Sequence, residues 1–395
     1  MIVLYIILAI VVLLFMVLIH EFGHYVVGRM LNFKITEFSV GFGKALISRK
    51  NKRGELISLR LFPLGGYCAF AGEDDGETKD KDSFVNQKPW KRILVFLAGV
   101  TFNFAFAVIM SLVLLCTIGY DIPQFVEYAT LNSSNVEHIV DGSAITNVPE
   151  GEGLQAGDVI ISIDGKITDF AYGSNYNDLV NAMVSDLDEY MDNARENPNF
   201  DEQSAFLAYP TTSAIVRRDG EYVEVQLGFS QAQVEKYDGN NPVLDNDGNV
   251  VREYKYYWTV NVQAYIHSFS EALERAVPFA FGLAWIVLKS LFLLITFQLP
   301  LSSIGGPVTT IATIASFTQM NLSNLLLLIP LISANLAVFN ILPIPALDGA
   351  HVLFTTIEAI RKKPIKREKE NMIHAIGLIV LFGFVILVDI LHFLL

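Results

Sequence analysis

The sequence predicts an α-helical polytopic membrane protein that carries an inserted, extracytoplasmic β-rich domain. Three observations lead there. Charged residues are 17% and hydrophobic residues 52% of 395, against the roughly 25% charged usual for soluble domains, and the mean hydropathy is +0.42. Several apolar runs reach the roughly 20 residues that a helix needs to cross a bilayer. Between the early and late runs, residues 121–274 are rich in Asp and Glu, so the net charge of −13 is unevenly spread. The expected organisation is a membrane part over residues 1–120, the inserted domain over 121–266, surface-lying or re-entrant helices over 267–320, and a second membrane part over 321–395.

Four segments are expected to span: residues 2–20 with continuation toward 31, residues 93–120, 322–342 and 372–394. Between the first two lie Lys44, Arg49, Lys50, Lys52, Arg53, Lys88, Lys91 and Arg92, and "RKKPIKREKE" (361–370) precedes the last. Basic flanks mark the cytoplasmic side. Both termini and the inserted domain are therefore expected outside the cytoplasmic (inner) membrane. Residues 277–297 form a fifth apolar run, but a span there would put the basic 361–370 segment outside. With Pro278, Gly282 and Lys289 in it, the run reads as surface-lying or re-entrant. The first run continues through charged residues without an Ala-x-Ala-like cleavage site, so it is expected to remain as a helix. Cys68 and Cys116 are expected to form neither a disulfide nor a thiol metal site.

The first run ends in "VLIHEFGHYV" (17–26). His20 and His24 are four apart, so on a helix they share one face, one turn from each other, with Glu21 beside them. Leaving these groups at membrane depth without partners would cost several kcal/mol, which makes function the default reading. Two imidazoles at this spacing with an adjoining carboxylate suit a zinc ion and its general base. A third ligand is offered far along the chain by "NILPIPALDG" (340–349), where Pro343 and Pro345 break a membrane helix and Asp348 follows. Two His, one Asp and an open position make a catalytic rather than a closed structural site. In such a site the metal acidifies water, a carboxylate takes the proton, and a peptide carbonyl is attacked.

These residues resemble the bacterial site-2 proteases, intramembrane zinc metalloproteases of the type that cuts membrane-bound anti-sigma factors. The likeness runs through HEFGH, "FSVGFGK" (38–44), "LFPLGGYCAFAGE" (61–73), "KRILVFLAGVTFNF" (91–104), "GGPV" (305–308) and "NILPIPALDGAH". One departure is Ala350, where many relatives carry a second Gly. The resemblance implies Zn2+ held by His20, His24 and Asp348, Glu21 as general base, and Asn340 near the cleft, holding or polarising substrate. His351, His374 and His392 lack motif support and read as structural.

A helical substrate hides its carbonyls and must be unwound before it is cut. Residues 55–72 read as two short strands around a turn at Pro63–Gly66, a hairpin able to pair with an extended substrate, with Gly65, Gly66 and Tyr67 as candidate contacts. The resemblance implies that this hairpin re-enters the membrane. "GEGLQAGDVIISIDGKI" (151–167) and "SAIVRRDGEYVEVQL" (213–227) alternate as strands broken by Gly-Asp and Asp-Gly turns, a pattern that resembles one PDZ domain; such domains in this family limit access by bulky substrates. Residues 186–203 and 237–249 look like solvated acidic insertions. The expected partners are the lipid bilayer and single-pass membrane proteins already cut once by another protease, such as anti-sigma factors or remnant signal peptides. No nucleic-acid partner is expected. A membrane metal transporter would not need Glu21 or the PDZ-like domain, and a PDZ membrane scaffold would leave the zinc set unexplained.

Overall fold

The computed structural model describes residues 2–73, 83–120, 122–169, 176–239, 241–300, 305–363, 365 and 367–394. The chain begins with α1 (Ile2–Met30), β1 (Ile35–Lys50), β2 (Leu56–Phe70) and α2 (Pro89–Thr117). Next come β3 (Pro123–Tyr128), β4 (Ile145–Thr146), β5 (Val159–Ile163), β6 (Lys166–Ile167), α3 (Tyr176–Arg195), α4 (Glu202–Ala208), β7 (Thr212–Arg218), β8 (Glu221–Leu227), β9 (Ser230–Glu235), β10 (Tyr237–Asp238), β11 (Asn241–Pro242), β12 (Arg252–Tyr257) and β13 (Val260–Ala264). It closes with α5 (Phe269–Ile295), α6 (Pro307–Met320), α7 (Asn324–Ile341), α8 (Asp348–Arg361) and α9 (Arg367–Leu394). Two compact units result, Met1–Leu114 with Leu273–Leu395, and Leu115–Ala272.

In the first unit, α1, α2, α5, α7 and α9 are long and apolar enough to cross a membrane. α5 begins eight residues before the apolar run read from sequence and continues through Pro278 as one helix. α1 buries a stripe of Ala9, Val12, Met16, His20 and Gly23, whose steps of three and four keep one face. Ala9, Val12 and Met16 pack with Ile314 of α6 and Ile332 of α7; the two polar groups that matter most lie further along this face. α2 is fastened to α8 by a buried ion pair, with Arg92 Nη1 donating to Glu358 Oε2 at 2.8 Å. Such a pair contributes little net stability when intact, but removing one partner strands a buried charge.

β1 and β2 each fold back. Gly41 and Gly43, with φ of +85° and +83°, reverse β1, and Gly65 at +116° does so in β2; glycine adopts these conformations without a steric penalty. The register then pairs Lys50 with Leu56 and Ala45 with Arg60, while Glu37, Phe38, Ser39 and Val40 are partnered twice, by residues 56–59 and by residues 66–69. This corrects the expected simple hairpin over residues 55–72. The two halves of β2 do not pair with each other, because residues 35–40 lie between them. Arg60 ties the ribbons together by donating to Glu37 Oε1 at 2.7 Å and to Ser39 Oγ at 3.1 Å.

The second unit has a six-stranded sheet, ordered β13-β3-β5-β7-β8 with β6 on β5, and a three-stranded sheet ordered β12-β9-β4. Asp164-Gly165 and Asp219-Gly220 sit at positive φ at the β5–β6 and β7–β8 turns, the conformation that tight hairpins favour. α3 lays Tyr176, Val180, Met183, Leu187 and Met191 on the core. Residues 186–203 are therefore not a solvated insertion: Asp186, Asp188, Glu189 and Asp192 cover the outer face of a helix whose inner face is apolar. Residues 237–239 and 241–249 are largely exposed.

The last helix is tied to α6 by Asp389, which is buried and accepts hydrogen bonds from Val308 N (3.2 Å), Thr309 N (3.1 Å) and Thr309 Oγ1 (2.7 Å). A Cβ at Gly306 would fall 2.5 Å from the Asp389 carboxyl carbon, so the "GGPV" segment is shaped around that carboxylate. Asp389→Ala strands these donors and is expected to cost about 1–3 kcal/mol, read as a lower melting temperature in detergent; Asp389→Asn, which keeps one acceptor oxygen, is expected to lose less. Equal melting of all three proteins would contradict this role.

Candidate functional site

Regular helix geometry places His20 and His24 one turn apart, with their Nε2 atoms 3.2 Å apart. α7 ends at Ile341, and the chain crosses Leu342 to Leu347 before α8 starts at Asp348. Asp348 Oδ2 lies 2.9 Å from His20 Nε2 and 3.3 Å from His24 Nε2. Both histidines are buried. The three residues singled out as ligands from opposite ends of the sequence thus meet at one point.

Donor chemistry fits a metal ion. His24 Nδ1 is 2.8 Å from the Val95 carbonyl oxygen, which can only accept; Nδ1 therefore carries the proton, and Nε2 aims a lone pair into the site. Asp348 Oδ2 is buried, and the polar groups beside it are the two imidazoles. Three ligands about 2.0–2.1 Å from a tetrahedral zinc stand roughly 3.3 Å from one another, near the separations seen here. Two nitrogens, one oxygen and no thiolate suit a zinc site that keeps a position open.

Glu21 is half-buried beside this set, and its carboxylate accepts a hydrogen bond from the Cys68 backbone N–H of β2. Gly66 comes close: a Cβ there would lie 3.5 Å from Glu21 Cγ. Gly65 provides the reversal before it, where a Cβ would collide with the Phe42 ring. Tyr67 is engaged elsewhere, bonded to Glu37 and stacked near Phe42 with Arg60 over its ring. Asn340 is half-buried one residue from the end of α7, and its side chain enters none of the described hydrogen bonds.

The loop that delivers Asp348 is held from α9. Ala346, at φ +80°, donates its N–H to His374 Nδ1 at 2.9 Å, and Gly377 leaves room for Pro345. His351, His374 and Glu370 form a second cluster of possible ligands, but its geometry does not suit a metal. The two rings stack at 4.0 Å and 10°, which sets their in-plane lone pairs side by side, and His374 Nδ1 is occupied by Ala346. The side chain of His392 lies outside the described residues.

Sequence reasoning gave no role to α2, yet α2 forms the wall behind both imidazoles. Val95, Gly99 and Asn103, at steps of four, face them through the Val95 carbonyl, the bare Gly99 Cα and the Asn103 amide. An Asn in an apolar run was the visible signal; a backbone carbonyl leaves none.

The model of peptidase family M50 matches residues 8–384. A chain of Campylobacter jejuni named as a zinc metalloprotease is 26% identical over 378 residues, covering 94% of this chain and 88% of the relative. One of Clostridium perfringens, named likewise, is 28% identical over 392 residues, covering 98% and 97%. A chloroplast protein of Arabidopsis thaliana named as a membrane metalloprotease is 27% identical over 386 residues, covering 95% and 77%.

A Cβ at position 99 would fall 2.5 Å from His20 Cε1 and 2.6 Å from His24 Nε2. Gly99→Ala is therefore expected to displace both rings and lower the metal content of the purified protein by roughly tenfold or more, with helix content by circular dichroism unchanged. A normal metal content would contradict the close approach of α1 and α2.

Proposed function

Because the chain belongs to peptidase family M50, the site-2 proteases, and is a zinc-dependent membrane metalloprotease, we propose that His20, His24 and Asp348 hold the zinc and Glu21 is the general base. The carrying observation is the convergence of those three ligand atoms beside Glu21. Bound zinc supplies Lewis acidity, making water acidic near neutral pH and polarising a peptide carbonyl. Glu21, oriented by the Cys68 N–H, accepts the proton of the attacking water and returns it to the departing amine. An extended substrate segment runs beside Gly65 and Gly66, with Tyr67 shaping the ribbon, and Asn340 contacts the substrate backbone.

The substrates proposed are transmembrane segments of single-pass proteins already trimmed by another protease, such as anti-sigma factors or remnant signal peptides. The basic loops support a topology with the site toward the cytoplasmic side of the cytoplasmic membrane and both termini and Leu115–Ala272 outside. Four helices span, α5 lies on the surface or re-enters, and the ribbons of β1 and β2 re-enter from the cytoplasmic side. A metal transporter is disfavoured by Glu21, held beside the ligands where transport has no use for it.

Glu21→Gln keeps the three ligands but cannot take a proton. It is expected to retain near-stoichiometric zinc while cleavage of a transmembrane model substrate falls about 10²–10⁴-fold; Asp348→Ala is expected to lose zinc and activity together. Turnover by Glu21→Gln at the normal rate, or full zinc in Asp348→Ala, would overturn these roles.

The β-rich unit is proposed to be a PDZ-like filter that excludes bulky outer domains. Ala264 pairs with Pro123 across β13 and β3, so a short linker can replace residues 123–264. That variant is expected to retain zinc and to cut an untrimmed substrate that the intact enzyme rejects. Slower cleavage of trimmed substrate with no gain on the untrimmed one would show a docking site instead.

A further inference from the structure

A histidine that binds a metal through one ring nitrogen presents its other N–H to an acceptor, which fixes the ring and its tautomer. His24 meets this need with the Val95 carbonyl at 2.8 Å. His20 faces the same requirement, and the polar group beside its Nδ1 is the side-chain amide of Asn103, 3.4 Å away. Asn103 is fully buried, and its Oδ1 has no hydrogen-bond partner in the orientation shown.

With Nδ2 toward His20, the amide donates to Nδ1. The imidazole proton must then sit on Nε2, the atom that faces His24 and Asp348, and His20 has no lone pair to offer. The two ends of a carboxamide are nearly equal in shape, and which is which follows from the hydrogen-bond network. Turned over, Oδ1 accepts from Nδ1–H, and Nε2 is left free to coordinate. We infer that Asn103 is the positioning residue of the zinc site, accepting the Nδ1 proton of His20 through Oδ1 so that both imidazoles enter the site in the same tautomer.

Asn103 is well held for this task. Its backbone carbonyl accepts from Ser333 Oγ of α7 at 2.7 Å, and four residues earlier Gly99 lets α2 approach the two rings. α2 thus carries both acceptors, a main-chain carbonyl for His24 and a side-chain amide for His20, two helical turns apart. The inference rests on the reading of His20 as a zinc ligand.

The experiment compares zinc affinity of the full-length protein in detergent, by competition with a chelator, for wild type, Asn103→Leu, Asn103→Asp and His20→Ala. Leu fills the space without an acceptor and is expected to weaken zinc binding roughly 10–100-fold, with the melting temperature of the metal-free protein near that of wild type. Asp can accept but not donate, so Asn103→Asp is expected to stay within about threefold of wild type, as carboxylate–histidine–zinc arrangements do. Affinity in Asn103→Asp as poor as in Asn103→Leu, or wild-type affinity in Asn103→Leu, would overturn the inference. If Asn103→Leu fails to fold, retention or loss of zinc by Asn103→Asp decides between acceptor and donor. Wild-type affinity in His20→Ala would remove the ligand assignment itself, and the inference with it.

Discussion

The structure turns on one constraint: three electron-rich atoms, Nε2 of His20, Nε2 of His24 and Oδ2 of Asp348, are buried within about the contact distance of one another. Lone pairs and a carboxylate so arranged repel unless a proton or a cation sits among them. A family whose chemistry depends on zinc supplies the cation, and the fold supplies everything that stops the groups from moving apart.

Each neighbouring element contributes to that restraint. The Ala9–Val12–Met16 stripe anchors α1 against α6 and α7, and Gly23 lets α1 meet the Ala98 carbonyl of α2 closely. On the far side, Arg92 and Glu358 lock α2 to α8, the helix whose first residue is Asp348. α9 grips the preceding loop through Ala346 and Pro345. The ribbons of β1 and β2 hold Glu21 by a main-chain N–H, so the proposed base is oriented by an element separate from those that orient the proposed ligands. Substitutions remote from the metal should therefore act through these contacts.

Much of the site was legible because its chemistry is expensive to bury. His20, Glu21 and His24 stand out in an apolar helix, their spacing is local, and Pro343 and Pro345 announce the break before Asp348. What escaped was set by non-local contacts. The double pairing of residues 37–40 depends on reversals at Gly41, Gly43 and Gly65 that alternation alone does not reveal. α3 was hidden by the acidic residues on its outer face, although Val180, Met183, Leu187 and Met191 keep helical spacing. Asn103 was visible as a polar residue in an apolar run, but only the approach of α1 at Gly99 gives it something to face.

The most direct measurement is X-ray absorption at the zinc edge of the purified wild-type enzyme, which counts and identifies the ligand atoms without reference to activity. The result expected is a first shell of only nitrogen and oxygen at about 2.0–2.1 Å, with outer-shell scattering from two imidazoles and a fourth position filled by an exchangeable oxygen. A sulfur scatterer near 2.3 Å, or the signature of fewer than two imidazoles, would contradict the site built from His20, His24 and Asp348.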